Sequence, residues 1–299
     1  MPYHRILFTA FLAAVLLTSG CRWIRPEGPI SESLATSRQL TQRGIAAVER
    51  GRPDKAETLL ADAVGACPAD SEARRQYAEV LWQRDARPEA IAQLQEAVRL
   101  NSEDATLLVR LAEMQLAAGQ IEEAWQNAEG ALDINPKLAP AWAARGRIMR
   151  ATGRHQQALA DYHRSLGLAP GDREMLLEVA ELDHHLGRPQ RALATLHALA
   201  DTYSPGEEPQ KVLHLTGLVC MALGRHEEGT EKLAAALIAG DATAEMYYHL
   251  GEAELLAGRP LQAAEAARQA LALEPHHIPS RELLGRLGLA AQGQAPPRR

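Results

Sequence analysis

Histidine and cysteine are the side chains of this sequence best suited to chemistry. His184-His185 and His276-His277 offer two imidazole pairs. A zinc site needs three or four ligands converging on one point, and neighbouring residues on a helix point about 100° apart. Neither pair has a further histidine at helical spacing with a carboxylate to complete a set, so the pairs predict solvated or groove-lining imidazoles and no metal. His163 and His197, 34 residues apart, read as stacked surface positions. Cys67 and Cys220 lack the CxxC spacing of a metal or redox pair, and Cys220 falls at an inward helical position that suits a small core hydrophobe. HExxH, GxSxG and the phosphate loop are all missing from the sequence. The expectation is no catalytic residue, no metal and no cofactor.

Cys21 has a different context. It follows a short basic start ending at Arg5, an apolar run from Ile6 to Leu17, and Thr18-Ser19-Gly20. The run is twelve residues long. As a helix it reaches about 18 Å, too little for a hydrocarbon core of ~30 Å, so residues 1–20 read as a signal peptide. The junction resembles the bacterial lipobox, in which small residues precede a cysteine that is diacylated before cleavage. Thr18 stands where that motif usually has leucine. The resemblance implies lipidation at Cys21 and anchoring in the cell envelope. With Arg22 and not aspartate next, it further implies the outer membrane, facing the periplasm, if the cell has two membranes. A secretory cleavage near Gly20 that leaves Cys21 as a free thiol, or an uncleaved anchor, is the alternative.

Behind these residues lies a repeat. Gly51, Gly119, Gly153, Gly187, Gly224 and Gly258 take the same place in successive segments, with Asp85 in the one gap. The segments span 37–70, 71–104, 105–138, 139–172, 173–206, 210–243 and 244–277, a step of 34 broken once by a step of 37. Their eighth residue is always small, as in Gly44, Ala78, Gly146 and Gly217, and so is the twentieth, as in Ala56, Ala90, Ala158 and Gly229. Helix axes approach to about 8 Å only where contact side chains are short, so two small faces predict a tight hairpin. Gly51-Arg52-Pro53, Gly187-Arg188-Pro189 and Gly258-Arg259-Pro260 end one helix with glycine and open the next with proline. Pro68, Pro136, Pro170 and Pro275 stop the second helix. Each segment is helix, turn, helix, stop.

This pattern resembles the tetratricopeptide repeat over Ser37 to His277. The resemblance implies an all-α, right-handed solenoid of about seven helix-turn-helix repeats. Residues 278–291 restart the pattern without a partner helix and read as a capping helix that covers the last apolar face. Residues 21–36 read as the lipidated cysteine and a tether, and 292–299 as a disordered tail.

The resemblance also implies a concave groove lined by positions two, five, nine and twelve of the first helices. Here that set includes Arg75, Trp82, Glu113, Leu116, Arg147, Arg150, His184, Lys211, His214 and Tyr248, along with Glu79, Val109, Glu181, Met221 and Glu252. Arg147 and Arg150, three residues apart, are expected to meet an acidic or C-terminal carboxylate of a partner. The lysine and asparagine used by repeats that grip chaperone C-termini are replaced by Thr41 and Ile45. Net charge is −6, with 38 acidic against 32 basic side chains, which gives no footprint for nucleic acid and little bulk attraction to anionic lipid. The sequence therefore predicts a membrane-anchored scaffold for protein or peptide partners, in assembly of an envelope, secretion, pilus or cell-wall complex. A soluble periplasmic chaperone without lipid and an unrecognised hydrolase or transferase are the alternatives.

Overall fold

The computed structural model describes residues 29–288. The expected signal peptide at 1–20, Cys21 and the expected tail at 292–299 lie outside the described residues. Contacts divide the chain into two compact units, 1–101 and 102–299. The first holds α1 (Pro29–Glu49), α2 (Pro53–Ala66), α3 (Ser71–Gln83) and α4 (Arg87–Leu100). The second holds α5 (Ala105–Ala117), α6 (Ile121–Ile134), α7 (Ala139–Ala151), α8 (His155–Leu168), α9 (Arg173–His185), α10 (Pro189–Ala200), α11 (Gln210–Ala222), α12 (His226–Ile238), α13 (Ala244–Leu256), α14 (Pro260–Leu273) and α15 (Ile278–Arg286). Among the described residues there is no strand, and no helix is long and apolar enough to cross a membrane.

Each turn glycine of the repeat frame has a left-handed backbone, from φ 65° at Gly51 to 79° at Gly258, and Asp85 adopts the same conformation at φ 61°. That geometry reverses the chain after each first helix, and glycine adopts it without steric cost. Asp70, Asp104, Asp172 and Thr243 cap α3, α5, α9 and α13 by accepting from backbone amides of the first turn. Of the helices without a side-chain cap, α2, α4, α7, α10, α14 and α15 are opened by proline, whereas α6, α8 and α12 have neither device.

The small positions are where the hairpins close. A Cβ at Gly146 would sit 2.5 Å from the buried Tyr162 ring, and one at Gly217 would sit 2.6 Å from Cγ of Leu233. The facing Ala56, Ala90, Ala124, Ala158, Ala192 and Ala263 are fully buried. Successive hairpins share cores. In the first unit Val80 of α3 packs with Ala56, Leu59 and Leu60 of α2. In the second, Ile148 of α7 packs on Ala124 and Ala128 of α6, and Met175 and Leu182 of α9 pack on Leu159 and Tyr162 of α8.

Two boundaries differ from expectation. The tether expected to run to residue 36 is helical from Pro29, because proline suits the first turn and the chain continues into α1 without a break. Ser37, expected to open the first repeat, lies inside α1 and donates to Asp70 Oδ2 at 2.9 Å. The capping helix expected over 278–291 ends at Arg286, and Gly288 beyond it is left-handed at φ 68°. α15 still covers the end of the array, with Leu283 and Leu284 buried against Ala264 and Ala267.

Candidate functional site

The first helices of the second unit carry charged residues that meet across neighbouring repeats. Arg147 of α7 holds Glu178 at 2.6 Å and Glu174 at 2.7 Å, both on α9, and reaches Glu113 of α5 at 3.4 Å. Arg150 holds Glu181 at 3.2 Å, and Lys211 of α11 takes the other oxygen of Glu181 at 2.7 Å. Further along, His214 and His249 face each other with Nε2 to Nδ1 at 3.0 Å, and His277 reaches Glu245 at 3.0 Å. Arg286 of α15 closes the series on Glu252 at 2.6 Å. A ladder of polar pairs therefore links each first helix to the next from α5 to α15.

The 34-residue period explains the ladder. Residues one repeat apart occupy equivalent places on adjacent helices, so a cation at one position meets an acid about 31 residues on, as Arg147 meets Glu178. Burial weighs against the Arg147 charge, but Glu178, Glu174 and Glu113 outweigh it and its pKa is raised. His214 and His249 are both pushed below the usual histidine value, chiefly by burial. Burial, then His185, lowers His184 as well.

Two adjoining recesses open on this face. One, of about 420 Å³, lies among Arg147, Glu174, Leu177, Glu178, Glu181 and Lys211. The other, of about 520 Å³, lies among His155, Glu181, His184, His185 and Leu215. They share Arg150, Ala151 and Glu181. Their rims alternate acid and base around a small aliphatic floor, an arrangement suited to a polypeptide carrying both charges.

Of the residues singled out from the sequence, Arg147, Arg150, His184 and Lys211 come together here, with Glu181 at the centre. Glu113 joins through Arg147. His214 and Tyr248 lie further along with His249 and His277, the Tyr248 ring centred 5.5 Å from that of His249 and 5.9 Å from that of His277. Arg75 and Trp82 belong to the first unit, where Arg75 pairs with Glu72 at 2.7 Å and Arg87 lies over the Trp82 ring at 5.5 Å.

Three apolar members of the expected groove are spent on packing. Val109 is buried at 5% exposure, Leu116 packs with Ala112, Ala124 and Trp125, and Met221 fills the space beside Gly229. Arg147 and Arg150 are not free guanidinium donors waiting for a carboxylate, because the protein's own glutamates already hold them. Glu174, Leu177 and Glu178 were missed. Glu174 and Leu177 do sit at positions two and five, but Glu178 at position six shows itself only through its partner one repeat away.

His185 stacks edge-on against His155 with ring centroids 5.2 Å apart, and His277 also contacts Ser280 at 2.8 Å. Among the described residues no three His, Cys, Asp or Glu side chains gather as a metal site would require. Cys67 and Cys220 are buried free thiols, and burial pushes Cys220 up to about 11.

Comparison with known proteins follows the same frame. Family profiles described as tetratricopeptide repeat match residues 38–80, and 84–139, 143–207 and 215–278. No curated protein sequence matches the chain. Among solved structures, it is similar to a tetratricopeptide repeat protein from Parabacteroides merdae at 17% identity and TM-score 0.60, covering 85% of this chain and 99% of that one. It is similar to YrrB, described as a TPR protein with an unusual peptide-binding site, at 17% identity and TM-score 0.55, covering 63% and 96%. It is also similar to PilF of Pseudomonas aeruginosa at 16% identity and TM-score 0.53, covering 85% and 99%. At such identities the likeness is one of fold.

Proposed function

This chain belongs to the tetratricopeptide repeat family, and on that footing we propose that it is a non-catalytic scaffold, anchored through a lipid on Cys21, that holds protein partners on the α7–α9–α11 face. The family and fold support a protein-interaction role. The observation that carries the particular surface is the pair of adjoining recesses, which share Arg150, Ala151 and Glu181 and bring mixed charge together with Leu177 and Leu215. Burial of such a patch excludes water from charged pairs while the aliphatic floor supplies contact area. The envelope location follows from the N-terminal motif, and an assembly role in secretion, pilus or cell-wall machinery follows from location and architecture together.

Photo-crosslinking tests the surface. A photoreactive residue at Ala151 or Lys211, both exposed in the recess, is expected to trap defined partners in intact cells. The same residue at Ala160 or Arg191, exposed on the second helices α8 and α10, is expected to trap none of them. Equal trapping from both sets rejects the α7–α9–α11 face as the binding surface.

A further inference from the structure

The first hairpin carries a feature that the partner face does not use. Between α1 and α2 lies a recess of about 420 Å³ whose ionised lining residues are Arg43, Arg50, Arg52 and Lys55, with Gln39 and Gln42 beside them. All four cations are exposed, and among the described residues no ion pair involves any of them. Many cations elsewhere are held by carboxylates. Arg84 is taken by Asp54 and Glu57, and Arg147, Arg150, Lys211, Arg259 and Arg286 all hold carboxylates. The acids nearest in sequence offer no relief, since Asp54 and Glu57 turn to Arg84 and Glu49 does not line the recess.

The repeat frame shows what this face is. Gln39 and Ala46 stand where Met175 and Leu182 stand in α9 and Val212 and Val219 in α11. Those residues are buried against the second helix of the preceding hairpin. In the first hairpin there is no preceding repeat among the described residues, and here Gln39 and Ala46 take the place of larger apolar side chains, with cations around them. Solvating the end of a repeat array needs only polar side chains, and acids would serve as well as bases. A single sign, in a chain with more acids than bases, calls for an anionic counterpart.

We infer that this end face docks on the phosphate headgroups of an anionic lipid surface. Guanidinium groups match phosphate oxygens in geometry as well as charge. Position agrees too: the eight steps from Cys21 to Pro29 span at most ~28 Å, so the face belongs to the hairpin next to the N-terminal segment. The net charge of −6 hides this local polarity because it sums over the whole chain. The inference does not depend on acylation of Cys21 or on the α7–α9–α11 face.

The test compares partitioning of the full-length chain into phosphatidylcholine vesicles with and without phosphatidylglycerol. The N-terminal segment, with its apolar run and its cations Arg5, Arg22 and Arg25, is the same in every variant, so differences between variants isolate the recess charge. Wild type is expected to prefer the phosphatidylglycerol vesicles, and Arg43→Gln with Arg50→Gln to cut that preference roughly 30-fold. Arg52→Gln with Lys55→Gln is expected to do the same, and circular dichroism checks that both variants stay helical. Lys137→Gln with Arg191→Gln removes two exposed cations of the second unit and is expected to leave the preference in place. A wild type without preference, or equal loss in all three variants, overturns the inference. Unchanged preference in both recess variants also overturns it and leaves the face to an acidic polypeptide.

Discussion

Gly146→Ala measures how closely the hairpins are built. The added methyl would lie 2.5 Å from Cδ1 and Cε1 of Tyr162 and 3.3 Å from the Ala158 carbonyl oxygen. Tyr162 is fully buried and backed by Met175 and Val179, so its ring cannot swing away as the tip of a flexible side chain would. Overpacking costs about 1–3 kcal/mol, and a rigid ring at this distance puts the cost near ~3. Alanine recovers ~1 kcal/mol of helix propensity, leaving a net loss of ~2 kcal/mol. Gly130→Ala is the control. Its methyl would meet only Leu108 Cδ1 at 3.6 Å, an ordinary contact, so the propensity gain of ~1 kcal/mol should survive. The two variants should thus differ by ~3 kcal/mol in urea denaturation. Repeat arrays can unfold in parts, so amide exchange across α7 and α8 should show where the loss falls. Truncating the obstacle with Tyr162→Leu should make Gly146→Ala much less costly in that background. Equal shifts for the two glycines, or no relief from Tyr162→Leu, would refute the close-crossing argument.

Four further outcomes are expected. Arg147→Glu strands Glu113, Glu174 and Glu178 beside a like charge, so it should cost ~2 kcal/mol, between an exposed and a buried pair, and its melting curve should be more sensitive to salt than that of wild type. His214 and His249 titrate below the unfolded value of about 6.5, so the unfolded chain takes up protons first as pH falls. The stability they support is present above that value and is lost as pH drops through their folded pKa values; His249→Gln should flatten the melting profile over this acid range, and an unchanged slope counts against the reasoning. Asp85→Gly should raise stability by ~1 kcal/mol in the same denaturation assay by relieving the φ of 61°, whereas Gly119→Asp should lower it by a similar amount. Cys21→Ala should abolish fatty-acid labelling in cells, since no other cysteine stands at a signal-peptide boundary, and persistent labelling would refute the anchor.

The helices were legible because their signals are local and repeated. Gly119, Gly153 and Gly187 each mark a left-handed turn, and Asp85 was recognised as their stand-in only because the period required a turn there. The charge ladder was less legible because its pairs join residues 27 to 35 positions apart, as Arg147 with Glu174 and His214 with His249. Position alone also leaves the seventh residue undecided. Leu111 and Val179 fill core there, whereas Arg145 bonds the buried Asp161 at 2.7 Å and lies over the Trp142 ring at 4.7 Å. The register gives the place of a side chain on its helix, but whether a charge there faces water or a partner depends on the next helix. The basic recess of α1 and α2 was invisible for a related reason: a net charge averages over faces that the fold separates.

Saturation of the ladder constrains how any partner can bind the α7–α9–α11 face. A carboxylate arriving at Arg147 must displace Glu174 or Glu178, and a cation arriving at Glu181 must displace Arg150 or Lys211. Each exchange replaces one ion pair by another, so its net gain is small and its sign depends on geometry. Favourable free energy must then come from burying Ala151 and Leu177. The charges act mainly by rejecting segments whose pattern cannot complete the exchange. An extended segment with apolar residues flanked by alternating charges meets both demands, and one bearing only acids does not, because the recess offers as many acids as bases.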